Sequence, residues 1–143
     1  MEPRVKEILY DYIMSLVGIP YRFGGSNPIS GYDCSGLCID LLQACGRLPY
    51  GFDTTAGGLY AHFNNTSGVL TTTADFGTLA FYGKGLPLIS HVAFCLSDKL
   101  MVESGGGDST VKDKDSAALK NAFVKIRPIK YRKDFICLVK PNY

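Results

Sequence analysis

Apolar residues at the start of the chain recur at helical spacing. Val5, Ile8, Leu9, Tyr12, Ile13 and Leu16 fall on one stripe, Pro3 suits a first turn, and Gly18 then Pro20 stop the run. The pattern predicts an amphipathic helix. It gives way at Tyr21 to YRFGGSNPISGY, where Gly24, Gly25, Pro28 and Gly31 mark a loop whose backbone turns tightly or approaches something closely. Asp33 then stands as a cap for a second helix, with Leu37, Leu41, Leu42 and Cys45 as its buried stripe and Gly46 as its end. That helix carries Cys34 in its first turn. Asp53, Thr54 and Thr55 begin a weaker third helix through Leu59, Tyr60 and Phe63, in which Gly57 and Gly58 each cost about 1 kcal/mol against alanine.

After a turn signal from Asn64 to Gly68 the period changes. VLTTT, TLAFY, ISHVAFCL, LMVE, AFVKIRPI and FICLV are short runs rich in β-branched and aromatic residues, bounded by Gly, Pro, Asp or Ser. They predict strands. Helices first and strands second argue for an α+β fold with the helices packed on one side of a largely antiparallel sheet. No repeat or low-complexity linker interrupts the chain, so residues 1–143 are expected to form a single domain.

Composition narrows the function classes. With 46% hydrophobic and 12% aromatic residues the chain can bury a real core, which argues against a disordered or fibrous protein. Fifteen basic against 13 acidic residues leave a net charge of +2, too small a surplus to make nucleic acid or an anionic membrane the leading partner. No run approaches the roughly 18 apolar residues of a membrane span. Glu2, Lys6, Glu7 and Asp11 interrupt the stretch where a secretory signal would be continuous, so synthesis in a cytoplasm is expected.

Five cysteines at irregular spacings do not make a disulfide framework. Cysteine is a nucleophile only as thiolate, and a helix N-terminus stabilises negative charge. Cys34 alone has that address. Cys38, Cys45, Cys95 and Cys137 sit where a small buried thiol needs no further reason. A nucleophilic cysteine needs a base, and alternation in ISHVAFCL puts His91, Ala93 and Cys95 on one strand face, leaving space beside the imidazole. His62, near the end of the weak helix, reads as a partly exposed surface histidine. The imidazole in turn needs an acceptor for its other nitrogen. Glu103 ends LMVE after the hairpin signal Ser97-Asp98-Lys99, and an antiparallel return sets it across from His91.

Other chemistries find less support. Ser104-Gly105-Gly106-Gly107 lacks the lysine and hydroxyl of a phosphate loop, and no GxGxxG opens a helix. Cys34 and Cys38 share a helix face, but no CxxC pair or second histidine stands at a ligand-like spacing, so no metal or cofactor is expected. Lys125, Arg127, Lys130, Arg132 and Lys133, mixed with Ile126 and Ile129, read as the solvated face of a sheet.

YRFGGSNPISGYDCSGL, followed by GTLAFY, HVAFCL and a strand ending in an acidic residue, resembles the NlpC-type cysteine peptidases, papain-like enzymes that cleave bacterial cell-wall peptides. The likeness runs from about Tyr21 to Gly107, with DCSG at Asp33 to Gly36 its most specific part. It implies Cys34 as nucleophile, His91 as general base and then acid, and Glu103 where the family places a third polar residue, often histidine. It also implies Tyr21 as a ligand of the substrate carbonyl, and Asp33 with Ser35 as lining of the pocket before the scissile bond. Phe23 stands where many relatives have tryptophan and Thr78 where many have aspartate. The implied reaction is hydrolysis of an amide in the peptidoglycan stem peptide through a thioester, commonly between D-glutamate and a diamino acid.

That substrate lies outside the cytoplasmic membrane, so delivery is expected from a phage particle, for instance a tail component, or from a secretion machine that injects the protein. Two rivals remain open at this point: an acyltransferase or thioesterase on the same fold, and a catalytically silent binding module.

Overall fold

The computed structural model describes the backbone of residues 1–143 and every side chain except that of Asn65. α1 (Pro3–Leu16) is capped by Glu2, whose carboxylate accepts the Arg4 amide at 3.2 Å, and it buries Leu9, Ile13 and Leu16 while Ile8 stays exposed. The glycine-rich stretch contains a small hairpin of β1 (Ser26–Asn27) and β2 (Gly31–Tyr32). Asn27 turns the chain between them by accepting the amides of Ile29 and Ser30. α2 (Cys34–Ala44) follows its Asp33 cap, and α3 (Ala56–His62) follows Thr55, which accepts the Gly58 amide at 3.1 Å. Phe63–Ser67, expected as a turn from Asn64 onward, instead carries the helix on as a π-helical turn.

The strands are β3 (Gly68–Thr71), β4 (Leu79–Gly83), β5 (Ile89–Cys95), β6 (Leu100–Gly105), β7 (Phe123–Pro128) and β8 (Phe135–Pro141). They pair antiparallel in the order β3-β8-β4-β5-β6-β7, so β5 lies inside the sheet. One further helix, α4 (Lys114–Leu119), lies between β6 and β7. It buries Ala117 and has no apolar stripe to announce it. Its mark in the sequence is the capping box of Asp113 and Ser116.

The middle strands of the sheet, β4 to β6, are buried on both faces. On one, Leu79, Phe81, Val92, Phe94 and Val102 join Ile13 of α1, Leu37 and Leu41 of α2 and Leu59 of α3 in the main core. On the other, Ala80, Tyr82, Ala93, Cys95 and Met101 meet Ile129 and Leu138. Full burial of a side chain such as Phe94 contributes about 2–3 kcal/mol. A single carboxylate ties α1, α2 and β2 together: Asp40 accepts the hydroxyls of Tyr12 at 2.8 Å and Tyr32 at 2.6 Å. Burial and then Asp40 push both hydroxyls above their ordinary pKa of 10.0, so they stay protonated donors.

Candidate active site

Cys34 is the first residue of α2 because the residue before it ends the extended chain and caps the helix. Asp33 Oδ1 accepts the Gly36 amide at 2.7 Å and its Oδ2 accepts the Gly24 amide at 2.9 Å, fastening the glycine loop to the helix start. Gly36 is required by contact, since a Cβ there would lie 1.9 Å from the Gly25 carbonyl oxygen. Loop and helix therefore touch backbone to backbone just after the cysteine.

The half-buried Cys34 faces β5, with its Sγ 4.0 Å from the carbonyl oxygen of Ser90. The next residue is His91, buried at 5% exposure, whose imidazole is raised in pKa by the neighbouring Cys34 as well as by Glu103. Its Nε2 lies 2.6 Å from Oε1 of Glu103, itself 1% exposed. With Nε2 engaged by the carboxylate, Nδ1 is the nitrogen left to exchange a proton with the thiol. Burial pulls the imidazole toward its neutral form, but hydrogen bonds to Cys34 and Glu103 and their charges outweigh it, and the His91 pKa stands above 6.5. Burial likewise opposes ionisation of Glu103, yet the His91 hydrogen bond and the charges of His91, Arg127 and Arg132 bring its pKa below 4.5. The centre is thus arranged to hold a carboxylate against an imidazole that gains a proton readily.

Glu103 reaches His91 diagonally, which corrects the expectation that the two stand directly opposite. Phe94 pairs with Val102 and Cys95 with Met101; continued, this register sets Glu103 across from Ala93, two residues along from His91. The carboxylate crosses over Gly105, where a Cβ would lie 3.2 Å from its Cδ. Tyr82, opposite His91 on β4, supports the imidazole with ring centroids 5.7 Å apart, and its hydroxyl donates to the Ile129 carbonyl at 2.7 Å.

The basic C-terminal residues are not simply a solvated face. Arg127 is half-buried, with Nη1 3.4 Å from Glu103 Oε2 and its guanidinium 4.1 Å over the Tyr131 ring. Arg132 pairs with Asp134 at 2.8 Å and lies 5.4 Å over the Tyr82 ring. Lys130 and Lys133 are exposed, as expected.

Tyr21 is buried, with its ring filling the space a Cβ at Gly107 would need and packing on Val111, Ala117 and Ala122. Burial, then the charges of Cys34, Asp33 and Asp108, raise its pKa above 10.0, so the hydroxyl near Cys34 keeps its proton. Ser35 is buried and donates to Asp33 Oδ1 at 3.2 Å, so these two are engaged with each other and with the glycine loop. Phe23 is exposed, and Thr78 is buried with its hydroxyl donating to Asp75.

His62 stands apart, edge-on to Phe52 and Phe63 at 5.1 and 4.7 Å. Cys38 and Cys95 are buried, and burial pushes the Cys95 thiol up to about 12. Cys45 and Cys137 are only partly buried, a correction to their expected place in the core.

A model of the NlpC/P60 family matches residues 18–128. Murein DD-endopeptidase MepH of Escherichia coli (strain K12) is 28% identical over 106 residues, covering 71% of this chain and 36% of that protein. The chain thus spans about a third of the length of the curated relative it matches. Among solved structures, a lipoprotein-like NLP/P60 family protein of Staphylococcus aureus superposes with a TM-score of 0.71 at 19% identity, over 100% of this chain and 43% of that one. RipD of Mycobacterium tuberculosis, described as a non-catalytic NlpC/p60 domain protein adapted to peptidoglycan binding, gives 0.64 at 21% identity over 97% and 98% of the two chains. The architecture is the papain-like α+β fold that these structures share.

Proposed function

The chain belongs to the NlpC/P60 family, and we propose on that footing that it is a cysteine hydrolase cutting an amide bond in the peptide stem of peptidoglycan. The observation that carries this reading is the 2.6 Å His91–Glu103 hydrogen bond, buried beside a cysteine at a helix start. An unused imidazole and carboxylate would be costly to enclose.

In the proposed reaction His91 Nδ1 takes the Cys34 proton and the thiolate attacks the scissile carbonyl carbon. The resulting oxyanion meets the Cys34 backbone amide and the Tyr21 hydroxyl, contacts of a kind typically worth about 2.7–4 kcal/mol in the barrier. The C–N bond breaks as the imidazolium protonates the leaving amine. Water then gives its proton to His91, attacks the thioester, and releases the acid as Cys34 regains its proton. Glu103 keeps the Nε2 proton in place throughout.

The family resemblance favours the bond between D-glutamate and a diamino acid. A second reading, a bond between two D-configured residues, is favoured by the name of the murein DD-endopeptidase relative. Mass spectrometry of muropeptide digests with the wild type and Cys34→Ala separates them. New diamino-acid amino termini support the first, and cross-linked dimers resolved to monomers support the second. Binding without cleavage would instead make the chain a wall-binding module, as RipD is described. Turnover of acyl esters with muropeptides untouched would make it an acyltransferase or thioesterase. Carriage in a phage particle or by an injecting machine is proposed with this reading, because the substrate lies outside the cytoplasmic membrane. Peptides of the chain in purified virions or secreted effectors would support it, and their confinement to the cytosol would overturn it.

A further inference from the structure

We propose that Arg127 is a positioning residue of this centre, holding the second oxygen of Glu103 so that the first stays on His91. The inference rests on His91 and Glu103 working as a pair in the reaction proposed above.

A glutamate carboxylate turns easily about its last bond, whose torsional preference is broad. One hydrogen bond leaves it that freedom; two on different oxygens remove it. Glu103 has Oε1 at 2.6 Å from His91 and Oε2 at 3.4 Å from Arg127, so each oxygen has its own partner. The choice of cation is specific. Lys125 is the direct cross-strand partner of Glu103, but its ammonium turns away to the Asn121 carbonyl at 2.6 Å and lies 4.3 Å over the Phe123 ring. Arg127, opposite Met101, reaches across instead and is itself steadied by Tyr131. Gly105 completes the arrangement by leaving room for the carboxylate to lie across the strand.

Charge balance points the same way. When Cys34 has given its proton to His91, thiolate, imidazolium, carboxylate and guanidinium sum to zero. Without Arg127 the same enclosed group carries a net negative charge, which burial disfavours. The nearby Arg132 and Asp134 neutralise each other and do not alter the count.

The test reads the Nε2 proton directly, by the far-downfield imidazole N–H resonance in proton NMR spectra of the full chain carrying Cys34→Ala. The resonance is expected in that parent, lost to solvent exchange in Arg127→Gln, and retained in Arg127→Lys. In the enzyme with Cys34 restored, Arg127→Gln is expected to lower kcat on the order of 10-fold with KM unchanged, as removal of an orienting partner does. A resonance that persists in Arg127→Gln, or is absent from the parent, overturns the proposal. Should Arg127→Gln not fold, Tyr131→Ala loosens Arg127 alone. A weakened resonance there supports the proposal and an unchanged one overturns it. The NMR readout needs no substrate, so a failure to cut muropeptides would sink the hydrolase reading and leave this one to be judged separately.

Discussion

His91 and Glu103 titrate in opposite senses, and the pair has a pH signature. The folded pKa of His91 lies above 6.5, so its contribution to stability is full below that value and is lost as pH rises through the folded pKa. The folded pKa of Glu103 lies below 4.5, so its contribution is present above that value and is lost as pH falls through the folded pKa. Urea unfolding across the pH range is therefore expected to show the largest gap between wild type and Glu103→Gln from pH 4.5 to 6.5, narrowing on either side. The same substitution is expected to bring the alkaline limb of the kcat/KM profile to lower pH, because the imidazolium loses its carboxylate. A gap that is flat with pH would show the two side chains are not coupled. Much of this centre is legible in the sequence: Cys34 from the cap before it, His91 from the face it shares with Ala93, Glu103 from the hairpin. Arg127 is not, because in VKIRP it is one cation among several, and only the β6–β7 register decides that it and not Lys125 meets Glu103.

At the scale of elements, the α2 N-terminus bears the most on function, since one carboxylate both caps the helix and anchors the glycine loop. Asp33→Ala is expected to lower stability by about 1–2 kcal/mol, as a lost helix cap does. It should also lower activity more than that loss explains, because Cys34 is displaced with the loop. A thermal melt paired with initial rates at low temperature measures both, and unchanged rates would separate the cap from the chemistry. Helices and strands whose buried residues repeat, such as α1 and β5, follow directly from periodicity. α4 buries Ala117 and so leaves no such trace, and the Phe63–Ser67 turn extends a helix through residues whose composition signals a break.

For the whole molecule, the central sheet works as one rigid wall with a packed side chain on each face of β5. Phe94 faces the helices and lies against Phe76 with ring centroids 5.5 Å apart, while His91 faces the other way. Phe94→Ala is expected to lose about 3–5 kcal/mol, and hydrolysis should fall in step with the folded fraction, measured by denaturant melts alongside rates. Activity that survived when the melt collapsed would mean the site does not depend on that wall. The α+β class is visible in the order of helical and alternating segments. The strand order is not, because pairing between β3 and β8 joins residues far apart in sequence and no local pattern encodes it.

β8, spanning Phe135–Pro141, lies between β3 and β4 and pairs with both. During translation the ribosome delivers β3 and β4 long before the strand that joins them. Until then each presents an open edge, and the sheet that supports β5 is incomplete. A nascent chain is therefore expected to stay inert until residues 135–141 emerge, so that the proposed hydrolysis waits on the strand that joins β3 to β4. Ending translation after Asp134 should yield an aggregating, inactive chain, recovered in the insoluble fraction of a cell-free synthesis.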